Sequence, residues 1–370
     1  MDENLARKLQ QVGLRFSLPG PFFNYEEIFT GNVNHTYRAD YIRDDGTGMA
    51  RITSYLVQRV NTYAFRDPAA LMDNIDRVTG YIQRMRPEQT CLKYHHTAEG
   101  KTYLFDGDEF WRVCNYVPSI TFDKTDDLEI MRSAAQAFGD FQMILNGFDA
   151  KSLAYTIPDF HNTRRRYETL IKDAEEDKLN RVKDVREELD YLLSVQDLAC
   201  TLTDMERKGE LPLRVTHNDT KINNVLFDQD TRKALVVIDL DTVMPGLVGH
   251  DFGDAIRFGA NFTEEDAQDT SRTGIDLNIF WAFAEGFLSK TAPVLTPNEV
   301  DTLGLSGFVL ACELATRFLD DYITGDRYFK VKKPGHNIYR TRCQVALAKD
   351  MLRKLDAMDS IVRGCAKKYR

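Results

Sequence analysis

His217-Asn218-Asp219-Thr220-Lys221-Ile222-Asn223-Asn224, then the apolar run Ala234-Leu235-Val236-Val237-Ile238 and Asp239, is the stretch on which the fold turns. It has the form H-x-D-x-x-x-x-N, followed by a short β-type run that ends in an acid. One carboxylate in such a loop orients and deprotonates an attacking hydroxyl. Two oxygen ligands further on hold the magnesium that neutralises nucleotide phosphates. Asp219 is the candidate base, Asn224 and Asp239 are the candidate metal ligands, and Asp241 is a candidate helper at the metal. Four elements in this order and spacing form the catalytic-loop and metal-loop pattern of kinase-like phosphotransferases. The alternative is an ordinary loop and strand carrying polar residues by chance.

A second acid nearby competes for the metal role. Asp251-Phe252-Gly253 has the letters of a metal-binding tripeptide, but it lies thirty-two residues past Asp219, whereas Asp239 lies twenty past it. Asp239 directly ends the apolar run, where a strand end can hold a carboxylate rigidly. Asp251 follows Pro245, Gly246 and Gly249, so it reads as a helix cap or first-turn residue that supports the catalytic loop. A cap without any link to the loop fits the same letters. His217 is assigned to shaping the loop, since proton transfer falls to the carboxylate.

Composition narrows the class. The chain has 370 residues, 43% hydrophobic and 28% charged, which suits two packed domains of an ordinary globular protein. A net charge of −9 argues against general affinity for nucleic acid or an anionic membrane. No apolar run approaches membrane-spanning length. The acidic start Met1-Asp2-Glu3-Asn4 does not resemble a signal peptide. The six scattered cysteines, without a Cys-x-x-Cys pair, suit reduced thiols in a cytoplasm. The mixed-sign stretch 163–190 reads as a solvated helix face rather than a basic patch for a partner.

Periodicity predicts a helix within 1–19, strands near 25–29, 35–42 and 52–60, and a helix over 68–86. Strands follow near 90–95, 102–105 and 110–117. Beyond Pro118 the pattern is helical over 127–147, 161–208, 275–290, 297–323 and 341–368, interrupted by the catalytic segment around 213–240. The expectation is an α+β, bilobal protein-kinase-like fold. A small lobe with an antiparallel sheet spans 1–114, a hinge spans 115–121, and a mostly helical large lobe spans 122–370.

The nucleotide site is expected on the small lobe and the hinge. Gly31, Asn32, Asn34 and Thr36 lie between the first two strands, where small polar residues can cover phosphates, although a plain hairpin turn fits them as well. A kinase presents a lysine from its third strand. Here Gln58 occupies that position, with Arg59 on the opposite face. Asn115, Tyr116 and Val117 are the hinge candidates. Gly100-Lys101-Thr102 is rejected as a P-loop end, because His95 stands where the first glycine is needed and a strand follows.

The loop His217–Asn224, with Ile238-Asp239-Leu240-Asp241-Thr242 and Met244-Pro245-Gly246, closely resembles the N-acetylhexosamine 1-kinases of the aminoglycoside phosphotransferase and choline kinase superfamily. The resemblance runs nearly end to end. It takes in Gly31-Asn32-Val33-Asn34-His35-Thr36-Tyr37, Ala137–Gln142, Phe160-His161-Asn162-Thr163, Asp251-Phe252-Gly253-Asp254 and Arg317-Phe318-Leu319, and glutamine at the third-strand lysine position is similar too. It implies a kinase dependent on ATP and Mg2+ that phosphorylates the anomeric hydroxyl of N-acetylglucosamine or N-acetylgalactosamine. By the same resemblance Asp219 is the base, and Asp239, Arg317 and Tyr328 position the sugar.

Alternatives stay open on the residues themselves. Arg317 stands four residues after Glu313 and four before Asp321, so an intrahelical ion pair would also explain it, and Tyr328 could be a core aromatic. His95, His96 and His161 read as structural. A kinase of an amino alcohol or aminoglycoside is the first rival, prompted by the acids Asp320, Asp321 and Asp326. A catalytically silent nucleotide-binding module is the second.

Overall fold

A computed structural model describes residues 2–29, 34–44, 49–63 and 65–370. Gly31 and Asn32, two of the expected phosphate-covering residues, lie outside the described residues. The chain divides into two units. Unit 1 comprises Met1–Ser119, Leu153–Ile157 and Ile238–Val243, and unit 2 comprises Ile120–Ser152, Pro158–Val237 and Met244–Arg370. Two short segments from far along the chain therefore belong with the N-terminal sheet, one of them carrying Asp239 and Asp241.

In unit 1, α1 (Glu3–Arg15) starts where the Asp2 carboxylate accepts from the Asn4 and Leu5 amides. Next come β1 (Phe22–Ile28), β2 (His35–Asp44), β3 (Ala50–Val60), α2 (Pro68–Met85), β4 (Leu104–Asp106) and β5 (Glu109–Asn115). The sheet is antiparallel in the order β1-β2-β3-β5-β4. Strand alternation sends Tyr37, Ala39, Tyr55, Val57, Trp111 and Val113 to one face, where Leu9, Val12 and Phe16 of α1 complete an apolar core. The opposite face carries Thr36, Gln58 and Arg112, aligned side by side by the register of β2, β3 and β5.

Unit 2 is mostly helical: α3 (Leu128–Ile144), α4 (Thr163–Glu176), α5 (Arg186–Ser194), α6 (Gln196–Ala199), α7 (Thr201–Arg207) and, after the strands, α8 (Val248–Gly259), α9 (Leu277–Thr291), α10 (Pro297–Thr324), α11 (His336–Arg353) and α12 (Leu355–Tyr369). Two short ribbons pair β6 (Arg214–Thr216) with β9 (Met244–Gly246) and β7 (Val225–Phe227) with β8 (Ala234–Val237). The loop between β6 and β7 carries Asp219. Around α10 pack α4, α8, α11 and α12. This helix is long and apolar enough to cross a membrane by length and composition, contrary to the expectation from sequence. Most of its apolar length is buried among those neighbours, which accounts for its composition.

Three expected elements differ. The helix expected over 161–208 is four helices and a turn, because Asp177 and Asn180 take left-handed backbone conformations (φ 34° and 54°) that end α4. The helix expected over 341–368 is α11 followed by α12, with the break at Lys354. The strand expected over 90–95 is reduced to a Tyr94–Cys114 bridge, and the side chain of Asn115 takes the Lys93 amide.

Residues Asp251-Phe252-Gly253 acquire their reason on α8. Phe252 packs edge-on against Phe280, Phe283 and Phe287 of α9. Gly253 lets α8 approach α10 so closely that a Cβ there would stand 2.5 Å from the Ser306 carbonyl oxygen. Gly253→Ala is expected to push α8 off α10 and lower stability by about 1–3 kcal/mol, read from urea unfolding. An unchanged midpoint would refute this packing argument.

Candidate active site

The catalytic loop in unit 2 is held by buried groups before any substrate is considered. The Asp251 carboxylate, 1% exposed, accepts from the His217 amide at 3.0 Å, the Asn218 amide at 2.7 Å and the Gln142 side-chain amide at 2.5 Å. Its own carbonyl accepts from the Thr220 hydroxyl. Burial raises the Asp251 carboxyl above its ordinary value, against the opposing pull of His217 and these donors. The His217 ring lies edge-on to Phe138 and Phe141 of α3. Gly246 on β9 runs so close to the loop that a Cβ would collide with the Thr216 hydroxyl and the Asn218 side chain.

These contacts hold Asn218 in a left-handed conformation, φ 64°, a region that asparagine tolerates better than most residues. Asp219 follows. Its Oδ1 is 2.8 Å from the Lys221 ammonium, and its Oδ2 accepts from the Asn224 amide at 3.2 Å. Burial pushes the Asp219 carboxyl up, but Lys221, His217 and Asn224 outweigh it and leave it below its ordinary value. It is an ionised acceptor at neutral pH. Asn224 also donates to the Asp219 carbonyl at 2.8 Å. With its nitrogen so assigned, Oδ1 is the atom of Asn224 that suits a hard cation. Lys221 was missed from sequence, although its place inside the eight-residue loop was a signal.

A second cluster in unit 2 surrounds Arg317. The intrahelical ion pair is absent. Glu313 turns to His161 and the Thr163 hydroxyl. Asp321 accepts from the amides of Arg327, Tyr328 and Phe329 and from the Asn337 side chain. The Arg317 guanidinium instead lies over the rings of Phe160, Tyr328 and Phe329 at 5.4, 5.8 and 5.4 Å. Arg317 and Tyr328 are thus brought together, with Tyr328 68% exposed. Arg166 on α4 is close enough for Arg317 to help lower its pKa, after burial as the larger cause. Asp326 is paired with Arg181 at 2.7 Å. Asp320 is pushed up to about 7 by burial and the neighbouring Asp173.

In unit 1, the row on the open face of the sheet forms a connected polar chain. Gln58 donates to the Thr36 hydroxyl at 3.0 Å and accepts from Arg112 at 2.9 Å. Arg112, 1% exposed, is ion-paired with Asp241, whose other oxygen accepts from the Asn34 amide at 2.7 Å. Both oxygens of Asp241 are thereby engaged by donors, an arrangement that suits an anchor better than the metal helper read from sequence. Arg112 also escaped that reading, because a lone arginine in an apolar strand carries no spacing signal. Asp239 has φ 58°, the second left-handed non-glycine residue among the candidates. Asn115 accepts the Lys93 amide and donates to the Cys91 carbonyl, while the Tyr116 ring lies beneath Arg38. The Val117 carbonyl accepts from Ser119.

The oxygens of Asn224 and Asp239 have the hard character that magnesium prefers. Among the described residues no group of three or more His, Cys, Asp or Glu could hold a metal ion. A magnesium–nucleotide site needs only one or two protein oxygens beside phosphates and water.

Residues 37–284 match the family described as "Phosphotransferase enzyme family" (APH). Among solved structures, a microcompartment-associated aminopropanol kinase is similar at 15% identity and a TM-score of 0.61, over 95% of this chain and 98% of that one. A choline kinase from Cryptosporidium parvum is similar at 12% identity and 0.60, over 98% and 99%. An ethanolamine kinase from Plasmodium vivax is similar at 12% and 0.58, over 93% and 90%. At these identities the likeness establishes the protein-kinase-like fold.

Two expected outcomes follow from the charges. Arg112→Met and Asp241→Leu are each expected to cost about 3–5 kcal/mol in urea unfolding, and the double variant to recover most of it, since removing both members of a buried pair leaves no lone charge. Additive losses would show that the two residues act separately. His250, buried in unit 2, is held down to about 3 by burial first and then by His161. The unfolded chain therefore takes a proton below about pH 6.5 that the folded chain refuses, so this contribution to stability is lost as pH falls towards 3. Between about pH 6.5 and 5 the loss is roughly 2 kcal/mol. His250→Gln is expected to flatten the acid limb by that amount in unfolding titrations.

Proposed function

This chain belongs to the phosphotransferase enzyme family, and on that premise we propose that it transfers the γ-phosphoryl group of ATP to the anomeric hydroxyl of an N-acetylhexosamine. The observation that carries the acceptor class is Arg317. Its guanidinium covers the aromatic cluster of Phe160, Tyr328 and Phe329, where a substrate ammonium would otherwise be caged. A cationic amino alcohol or aminoglycoside would meet that charge, with Arg166 behind it. Two of the acids that suggested a cation are engaged elsewhere: Asp321 with three backbone amides and Asp326 with Arg181. A neutral sugar with hydroxyl and acetamido oxygens suits guanidinium donors.

In this reading Asp219 accepts the proton of the sugar hydroxyl as that oxygen attacks, and Asn224 keeps the carboxylate turned to it. Asn224 and Asp239 would hold magnesium. Their pairing rests on the order of residues in the chain, and Asp239 also has a part in orienting the sugar. When bound, magnesium neutralises charge on the phosphate oxygens. The nucleotide would be met by Asn34, Thr36 and Gln58, and by Asn115, Tyr116 and Val117 at the linker.

Phosphorus NMR of ATP–magnesium mixtures with N-acetylglucosamine, N-acetylgalactosamine, glucose, choline and kanamycin tests the assignment. A new anomeric phosphate on an N-acetyl sugar is expected. Transfer confined to choline or kanamycin would sink the acceptor class and leave the phosphotransferase in place. Asp219→Asn is expected to lower kcat by about a hundredfold to ten-thousandfold while still binding ATP. Arg317→Met is expected to raise the sugar KM and to leave the ATP KM near its starting value.

A further inference from the structure

We infer that His161 is a positioning residue for the catalytic base, held as an imidazolium between Glu313 and the carbonyl of Asn218. It rests on the reading above only in taking Asp219 as that base. His161 immediately precedes Asn162, the cap of α4. Its Nδ1 is 2.8 Å from Glu313 Oε1, and its Nε2 is 3.1 Å from the Asn218 oxygen. A backbone carbonyl only accepts. The Glu313 carboxyl, 1% exposed, is brought down to about 2, because His161 and the Thr163 hydroxyl overcome the effect of burial. Both ring nitrogens thus face acceptors. A neutral imidazole has one N–H and would leave one contact without a hydrogen, whereas the imidazolium supplies both.

The other groups facing this ring agree. His250 of α8 lies with its ring 4.9 Å away, and its Nδ1 accepts from the Leu247 amide, so it is neutral. Burial opposes a charge on His161, but Glu313 and, after it, Asp254 of α8 outweigh it. Arg166 of α4 also interacts with Glu313, and the Phe160 ring lies 4.5 Å from that of His161.

The mechanical consequence follows from peptide planarity. The Asn218 carbonyl and the Asp219 amide belong to one rigid unit. Asp251 holds the amide of Asn218, Thr216 holds its side chain, and His161 holds its carbonyl. The last contact bears on the plane that leads into Asp219, whose amide on the other edge of that plane donates to His217 Nδ1 at 3.3 Å. A charge-assisted bond is roughly twice as strong as a neutral one, which suits a loop kept at φ 64°.

Nitrogen-15 imidazole spectra of the full chain, with His161 assigned by loss of its signals in His161→Phe, provide the first test. At about pH 7.5 both His161 nitrogens are expected in the protonated range. A neutral-tautomer pattern overturns the inference, whatever the acceptor proves to be. His161→Phe keeps the ring packing and is expected to lower kcat about a hundredfold, with the ATP KM changed by less than about twofold. Turnover equal to wild type, or an equal loss in ATP binding, also overturns it. Glu313→Gln removes the counter-ion, so the alkaline limb of kcat should move to lower pH; an unmoved limb counts against the assignment. Should His161→Phe fail to fold, the Glu313→Gln profile and spectra decide. Should wild type phosphorylate none of the acceptors above, the acceptor reading falls and the spectra still judge His161.

Discussion

The buried carboxylate of Asp251 is the constraint from which the rest of unit 2 is organised. It accepts two consecutive backbone amides, those of His217 and Asn218, and so fixes the start of the loop that carries Asp219. Backbone groups buried without partners are costly, and here one side chain satisfies two of them. That carboxylate must itself be placed with care. Gly253, two residues on, lets α8 press against α10, and Phe252 locks α8 to α9. The tripeptide that looks like a metal motif is a packing device whose polar end holds the loop.

Charge is handled differently in the two units. In unit 1 the third-strand cation of kinases is replaced by Gln58, but a cation remains one strand away at Arg112. Its charge is matched by Asp241 within the unit, and Gln58 joins the pair to Thr36. In unit 2 the charges around Asp219 come in opposed sets. Lys221 keeps the carboxylate ionised, and His161 with Glu313 grips the backbone just before it. A residue in a left-handed conformation persists only where its surroundings over-determine it, and Asn218 meets that description, held at its amide, side chain and carbonyl.

Two of the acids near Arg317 have partners within the fold. Asp320, Asp321 and Asp326 stand together in sequence and suggest a cation cage. In the structure Asp321 caps the amides of residues 327–329, and so presents Tyr328 to Arg317. Asp321 and Asp326 are employed in folding the segment beside the Arg317 guanidinium.

The family fold and a candidate catalytic loop were legible in the sequence, because local spacing encodes them. H-x-D-x-x-x-x-N places a carboxylate and an amide on one short loop wherever that loop sits. Alternation in β2, β3 and β5 puts Gln58 and Thr36 on one face without further information. Period and length found most helices. They missed the breaks at Asp177 and Lys354; at the first the backbone turns left-handed and the Asp177 carboxylate accepts the Arg181 and Val182 amides. Partnerships between distant residues were beyond local reading. Arg112 with Asp241, His161 with Glu313 and Asn218, and Asp251 with the loop amides join positions from 33 to 152 residues apart. Spacing cannot encode such pairs, because their energy depends on burial that only the packed chain creates. The sequence by itself determined the fold and which groups are candidates for the chemistry. The tertiary structure decided which buried charges hold them still.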